Sequence, residues 1–383
     1  MTTSAVPDPP VTAEERAELV RMRRDFHRHP ELGFEEVRTS GIVAARLREL
    51  GFEVRTGFAR TGVTGTRGKG GRTLFVRADM DALPIREENE VEYRSGNEGV
   101  MHACGHDGHT AVALVAAARF ARADFPGTIR FGFQPAEEVG QGADRMIADG
   151  GLDGADAALG LHLWNSMPVG RVGVTEGAAM ASVDDFDLVI RGRGGHAAAP
   201  HEADDPVVKA ASVIQDLQTV VSRAVDPMQA AVVSVTWIEG GSAYNVIPES
   251  VTIRGTIRTF DERVKKDVHR RMREVVGSRG ELTIESMTKV LVNDPRMCRI
   301  VREAAASVVG PGNVVADERT MGGEDFASVL AAVPGCFFFV GSAASEGAFP
   351  HHHPRFDVDE RSLAIGLEIL TRAARAYLER GFA

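Results

Sequence analysis

Met101-His102-Ala103-Cys104-Gly105-His106-Asp107-Gly108-His109-Thr110 runs directly into Ala111-Val112-Ala113-Leu114-Val115-Ala116-Ala117-Ala118. The second stretch is a strong helix former without a breaker. The first gathers three histidines, a cysteine and an aspartate, and thiolate with imidazole suits zinc or a neighbouring transition metal. The polar cluster is therefore expected on the turn that opens a buried helix, with Asp107 as its N-cap. Unpaired N–H groups at that helix start would favour a thiolate at Cys104. Cys104 and His106 lie two apart, so in an extended segment both point to one side. Any one of these residues alone would read as a buried cysteine or a surface histidine. Clustered at a strand-to-helix corner, they read as a metal site.

Outward from this corner, short apolar strands alternate with helices, which predicts an α/β sheet. Thr73–Ala78 leads to Asp79-Met80-Asp81, and Thr128–Phe133 to Gln134-Pro135-Ala136-Glu137-Glu138. Ala157–Leu161 leads to His162, and Cys336–Val340 to a loop with His351-His352-His353. Each polar group follows the carboxyl end of a strand, where active sites of open α/β sheets collect. Upstream, Thr12-Ala13-Glu14-Glu15 reads as a capping box. The helix it opens carries Leu19, Met22 and Phe26 at helical spacing and stops before Pro30. Residues 1–11 read as a Pro-rich disordered lead. A final amphipathic helix is expected over about 360–380.

Between about 180 and 290 the order changes to strand (186–191), helix (206–223), strand (231–238), strand (251–260), helix (261–276), strand (281–286). That is the ferredoxin-like β-α-β-β-α-β order. The expectation is an inserted α+β domain over 181–289, for dimerisation or as a lid, within a catalytic metal-binding domain of 1–180 and 290–383. The apolar strands 186–191 and 231–238 offer edges for pairing.

The chain has 383 residues, enough for two cores, with 43% hydrophobic and 26% charged residues. The net charge of −10 and the lack of a basic patch argue against a nucleic-acid partner. No signal peptide and no membrane span is legible. Three scattered cysteines (104, 298, 336) give no disulfide framework, so a reducing cytoplasm is expected.

The segments HRHPELGFEE, RADMDALPI, MHACGHDGHTA, FQPAEE, GLH, GRGGHAAAPH, NVIP, GGEDFA and HHPRFDVDE occur in that order. Together, over about residues 15–380, they resemble the amidohydrolase branch of the dinuclear-metal exopeptidase superfamily, which includes N-acyl-amino-acid, hippurate and auxin-conjugate hydrolases. The resemblance implies two divalent ions (Zn, Mn, Co or Ni) held by Cys104, His106, Glu138, His162 and His352. His352-His353-Pro354-Arg355-Phe356 fits the family's His-x-Pro-x-aromatic pattern, leaving His351 and His353 as solvated loop histidines. It further implies a bridging Cys104, Glu137 as general base, Asp81 as an orienting carboxylate, and His196 as oxyanion donor, often from the partner subunit of a dimer. The role of Asp79 stays open, because other branches have a ligand histidine there.

Asn245 and Arg258 are candidates for gripping a substrate carboxylate, Arg258 by a bidentate pair. They read equally as a turn Asn and an exposed strand Arg. Gly322 and Gly323 are candidates for backbone donors. The expected activity is hydrolysis of N-acyl amino acids by a homodimer or higher homo-oligomer. A dipeptidase or aminopeptidase, and a non-catalytic metal-dependent binding protein, are the alternatives.

Overall fold

The computed structural model describes residues 10–344 and 348–382; the lead expected at residues 1–11 lies, up to residue 9, outside them. The chain divides into two compact units, one of residues 1–177, 292–318 and 325–383, the other of 178–291 and 319–324.

The first unit is built on an eight-stranded sheet. Its order is Glu53–Phe58, Gly62–Gly68, Thr128–Gln134, Thr73–Asp79, Ala157–Pro168, Gly335–Ala343, Val172–Gly173, Val314–Val315. The four central strands run parallel. The Glu53–Gly68 hairpin adds antiparallel pairing at one side. Central strands are buried on both faces, which explains near-continuous apolar runs such as Gly335–Ala343. The capping box is present, with Glu15 N–H donating to Thr12 and Thr12 N–H to Glu15. Leu19, Met22 and Phe26 of that helix, Ala13–Arg28, are buried.

Helix His106–Arg122 is buried nearly throughout. It packs against Ala13–Arg28, strand Thr73–Asp79 and the final helix Arg361–Arg380, as an all-round apolar helix must. Asp107 is not its N-cap: that position is Gly105 at φ 94, with no side-chain cap. A left-handed corner residue favours glycine. A Cβ on Gly108, one turn in, would lie 2.4 Å from Leu163 Cδ1, so the helix start is pressed onto the sheet. The corner thus fixes where Cys104 and His106 can point.

The second unit has a four-stranded antiparallel sheet, ordered Ala231–Glu239, Ser250–Thr259, Ser182–Arg191, Glu281–Thr288. With helices Pro206–Thr219 and Glu262–Val276 this is the ferredoxin-like arrangement. Phe186, Leu188, Ile190, Ile253 and Ile257 meet Val213, Leu217, Val268 and Met272 in its core. Strand Ser182–Arg191 is central, paired on both sides, so the expectation that it offers an edge fails; the edges are Ala231–Glu239 and Glu281–Thr288. Its strict buried–exposed alternation suits a one-faced strand at any place in the sheet, so burial pattern alone could not tell centre from edge.

Candidate metal centre

The segments carrying Cys104 and His106, Glu138, His162 and His352 converge at the carboxyl-end side of the parallel strands of the first unit. Cys104 Sγ lies 3.5 Å from His162 Nε2. Cys104, His106 and His162 bring one donor atom each within 4.8 Å of one another, and so do Cys104, Glu138 and His352. All five residues implied as ligands therefore meet, and Cys104 belongs to both groups. His162 lies within strand Ala157–Pro168, not beyond its end as expected.

Ring orientation is set from outside the cluster. The Nδ1–H of His106 donates to the Asp81 carbonyl at 3.0 Å, and that of His162 to the Leu163 carbonyl at 2.7 Å. Both rings turn Nε2 inward, as metal-bound histidines do. His106 Nε2 and Glu138 Oε1 are buried with no hydrogen-bond partner. Orphaned polar atoms of that kind are costly unless something fills the space between them. A donor set of N, S and O atoms fits zinc or a similar divalent ion.

The electrostatics agree. Burial alone would lower the His106 pKa, yet Asp79, Asp81 and Glu138 push it up to about 10. Burial and the charges of Glu138, Glu137 and Asp79 raise the Cys104 thiol well above its ordinary value. The expected depression by the helix start is thus outweighed by burial and by the carboxylates around the sulfur. A pocket that holds protons this tightly is one where a cation can replace them. His162, whose pKa falls through burial and the neighbouring His109 and His351, stays neutral.

Asp81 touches two ligand segments. Its Oδ2 accepts the Glu138 N–H at 3.0 Å, and its Oδ1 is 3.3 Å from His106 Nδ1. Glu137 reaches 4.0 Å from His106 Nε2, its side chain 11% exposed. Asp79 is engaged by Arg77 at 2.5 Å and by His109 at 2.6 Å, so its charge is spent inside the protein. Arg77 in turn donates to Gln134 and Asp325.

His351 and His353 are half-buried, neither fully solvated nor enclosed, and neither falls in a candidate donor group among the described residues. His351 Nε2–H donates to the Leu163 carbonyl at 2.9 Å, and burial lowers its pKa to about 4. His353 stacks on Phe349 at 4.4 Å and accepts the Arg355 N–H. His352, between them, adopts φ 64 and brings Nε2 to 3.4 Å from Glu138 Oε2.

Sequence reasoning missed the support behind these loops. Arg23 is fully buried, donating to Asp107 at 2.8 Å and to Asp357 at 2.6 Å. His27 lies 2.7 Å from Asp107. Arg23 and His27 continue the Leu19-Met22-Phe26 stripe at helical spacing, and charge on an apolar stripe was the available signal.

His196, Asn245, Arg258 and Gly323 all belong to the second unit. His196 pairs opposite Val246, and its Nδ1 accepts the Ala198 N–H at 3.1 Å. A neutral ring then carries its proton on Nε2, as a donor. His196 and Asn245 line the same hollow; Arg258 is not among its lining residues. Arg258 is half-buried with Nη1 unpartnered, on the sheet face away from the helices. Gly323 packs against Val183 and Thr288, where a Cβ would lie 2.2 Å from Val183 Cγ2. Val183 is the cross-strand partner of Arg258. Gly322 N–H is taken by Thr320 Oγ1, so it is not an open donor.

Parallel sheet, strand-end loops and paired donor groups together define a metal-dependent hydrolase of the α/β class. The chain belongs to peptidase family M20/M25/M40, whose profile matches residues 75–376. It is 40% identical over 377 residues to an N-acetyl-L-cysteine deacetylase of Bacillus subtilis, covering 94% of this chain and 88% of that one. It is 39% identical to the IAA-amino acid hydrolase ILR1-like 4 of Arabidopsis thaliana, covering 94% and 86%. Among solved structures it superposes with a TM-score of 0.83 on a Bacillus subtilis dinuclear metal binding peptidase of the M20 family, at 35% identity and 96% and 99% coverage. It is accordingly a hydrolase acting on amide bonds. No helix among the described residues is long and apolar enough to cross a membrane.

Proposed function

We propose that the protein hydrolyses the amide bond of N-acyl amino acids, releasing a carboxylic acid and a free amino acid. The observation that carries this reading is the sharing of Cys104 by two donor groups, His106 with His162 and Glu138 with His352, beside Glu137. One thiolate common to two sets suits a pair of divalent ions, Zn, Mn, Co or Ni. Bound there, the pair would acidify a water and polarise the scissile carbonyl.

The chain's own residues supply the remainder. Glu137, nearly buried at the rim of the donor set, takes the proton of the attacking water and returns it to the leaving nitrogen. Asp81 holds the His106 ring and the Glu138 backbone in register. His196, its proton on Nε2, donates to the oxyanion of the tetrahedral intermediate, within a subunit or across a homodimer. Asn245, beside His196 in one hollow, and Arg258, outside that hollow, hold the carboxylate of the amino-acid half from different subunits of the homodimer, with Gly323 packed on Val183, the cross-strand partner of Arg258. The second unit serves as dimerisation or lid domain. A reducing cytoplasm keeps Cys104 available as a ligand.

The test is a hydrolysis panel of N-acyl amino acids varied in both halves, with dipeptides alongside, on protein loaded in turn with Zn, Mn, Co and Ni. Release of amino acid from acylated substrates, lost on chelation, is the expected result. Turnover of dipeptides alone would replace this reading with a peptidase, and full turnover in verified metal-free protein would remove the metal from it.

A further inference from the structure

The donor loop Gln134–Glu138 rests on a residue that the reaction does not use. Glu36 is the N-cap of helix Val37–Glu49, yet its side chain makes no cap bond there. Glu31 serves that helix instead, its carboxylate accepting the N–H groups of Arg38 and Thr39, each at 2.8 Å. The wholly buried Glu36 carboxyl is thereby released to point elsewhere. Its Oε1 accepts the Ala136 N–H at 2.9 Å, and its Oε2 accepts the Thr61 hydroxyl at 2.5 Å.

Ala136 is an unusual place for such a bond. It sits at φ 56, a left-handed conformation that L residues with a Cβ rarely hold. It is buried, so its N–H has no recourse to water. It directly precedes Glu137 and Glu138. Gly33 closes over it: a Cβ there would be 3.1 Å from Ala136 Cα. The HPELGFEE segment thus grips the turn from which both carboxylates leave.

We propose that Glu36 is a positioning residue, holding the left-handed Ala136 turn so that Glu138 meets the cations and Glu137 meets the substrate. The role rests on the metallohydrolase reading for Glu137 and Glu138, but it asks only for reach and an acceptor oxygen at Glu36. Burial pushes the Glu36 carboxyl up to about 7, so near neutrality a neutral amide is a fair copy of it.

Two conservative variants of the full chain separate reach from charge. Glu36→Gln keeps the length and the acceptor; Glu36→Asp keeps the charge and shortens the arm. Apoprotein is titrated with Mn2+ or Zn2+, and kcat and KM are measured on the best substrate of the panel. In Glu36→Asp the weaker ion is expected to bind ~10-fold less tightly or worse and kcat to fall ~10-fold or more, the usual range for groups that support metal ligands. KM is expected within about twofold, because the altered turn carries base and ligand and no group that grips substrate. Glu36→Gln is expected within about threefold of the parent in both readouts, a margin well inside that range. Equal losses in both variants, or loss in Glu36→Gln alone, would overturn the proposal, as would an aspartate variant with unchanged metal affinity. If the parent binds two ions but hydrolyses no acylated amino acid, the substrate reading fails while the titration still decides Glu36. Should the aspartate variant not fold, Glu36→Met, which keeps the length but removes the acceptor oxygens, takes its place in the titration, and parent-like affinity overturns the proposal.

Discussion

His109 Nδ1 lies 2.6 Å from Asp79 Oδ1, and the far nitrogen of the same ring accepts the Leu163 N–H at 2.9 Å. A backbone N–H can only donate, so His109 carries its proton on Nδ1 and gives it to Asp79. Both nitrogens are committed. Asp79, His106 and His109 come close enough to be read as a metal group, but His109 has no lone pair left to offer. It ties strand Thr73–Asp79 to strand Ala157–Pro168 behind the donors.

His109→Ala is therefore expected to keep two metal ions per chain while losing ~1–3 kcal/mol of stability, the cost of a buried partner left unsatisfied. Metal analysis beside urea unfolding measures both. Loss of one ion with unchanged stability would make His109 a ligand after all.

Glu137 and Glu138 are adjacent but have different tasks. Glu137→Ala is expected to lower kcat ~10²–10⁴-fold with metal retained, because it removes proton transfer. Glu138→Ala is expected to lose metal. Both variants keeping metal and activity would reverse the assignment.

Mixing two inactive variants tests whether His196 acts across subunits. Glu137→Ala and His196→Ala, allowed to exchange, would form mixed dimers with one intact site and one doubly damaged site. An even statistical mixture is then limited to about a quarter of the parental rate. Oxyanion-donor loss costs ~10²–10³-fold in kcat, so that recovery would stand clear of either variant. No recovery despite proven exchange would place His196 within its own chain's reaction or outside the reaction altogether.

Asp184 makes the second unit sensitive to acid. Burial would raise its pKa, but His269, Lys265 and Ser286 hold it below the usual carboxylate range. Lys265 Nζ and His269 Nε2 each lie 2.8 Å away. A depressed carboxyl contributes stability that is present above its unfolded pKa of about 3.9 and lost as pH falls through the folded value. Asp184→Asn is expected to cost ~3–5 kcal/mol at pH 7, as when one partner of a buried pair is removed. The deficit is expected to begin shrinking below about pH 4, where the unfolded parent's carboxyl takes up a proton, and to go on shrinking until pH falls through the folded value. Denaturant unfolding of both proteins across pH measures it; a deficit independent of pH would contradict the charge argument.

Much of this molecule could be read in advance. Strand ends carrying Asp81, Glu138 and His162 signalled where a site would gather, because apolar strands followed by polar turns leave few other arrangements. The order of elements around 180–290 specified the ferredoxin-like sheet. Pairing order was harder: Phe186–Arg191 has the alternation of any half-buried strand, and only long-range partners make it central. Gly105 displaced Asp107 as the cap because the sharp corner needs a positive φ more than a side-chain oxygen. Glu36 was invisible as a support, since its partner Ala136 lies far along the chain, and Arg23 showed only as a charge on an apolar stripe, its partners Asp107 and Asp357 being equally distant. The family resemblance implies the ligands, and the hydrogen bonds leave Nε2 of His106 free of a partner while both ring nitrogens of His109 are engaged.

The parallel pairing of Ala157–Pro168 with Gly335–Ala343 has a consequence on the ribosome. The first of these strands emerges with the whole sheet of the second unit still to be made, and its parallel neighbour follows only after that sheet. An apolar strand edge is meanwhile open on the nascent chain, a state prone to mispairing and to capture by chaperones. His352 arrives later still. A released fragment that ends before it would carry Cys104, His106, Glu138 and His162 without the third member of the Cys104, Glu138 and His352 group, so a metal site that needs His352 could not be filled until the second unit had been made.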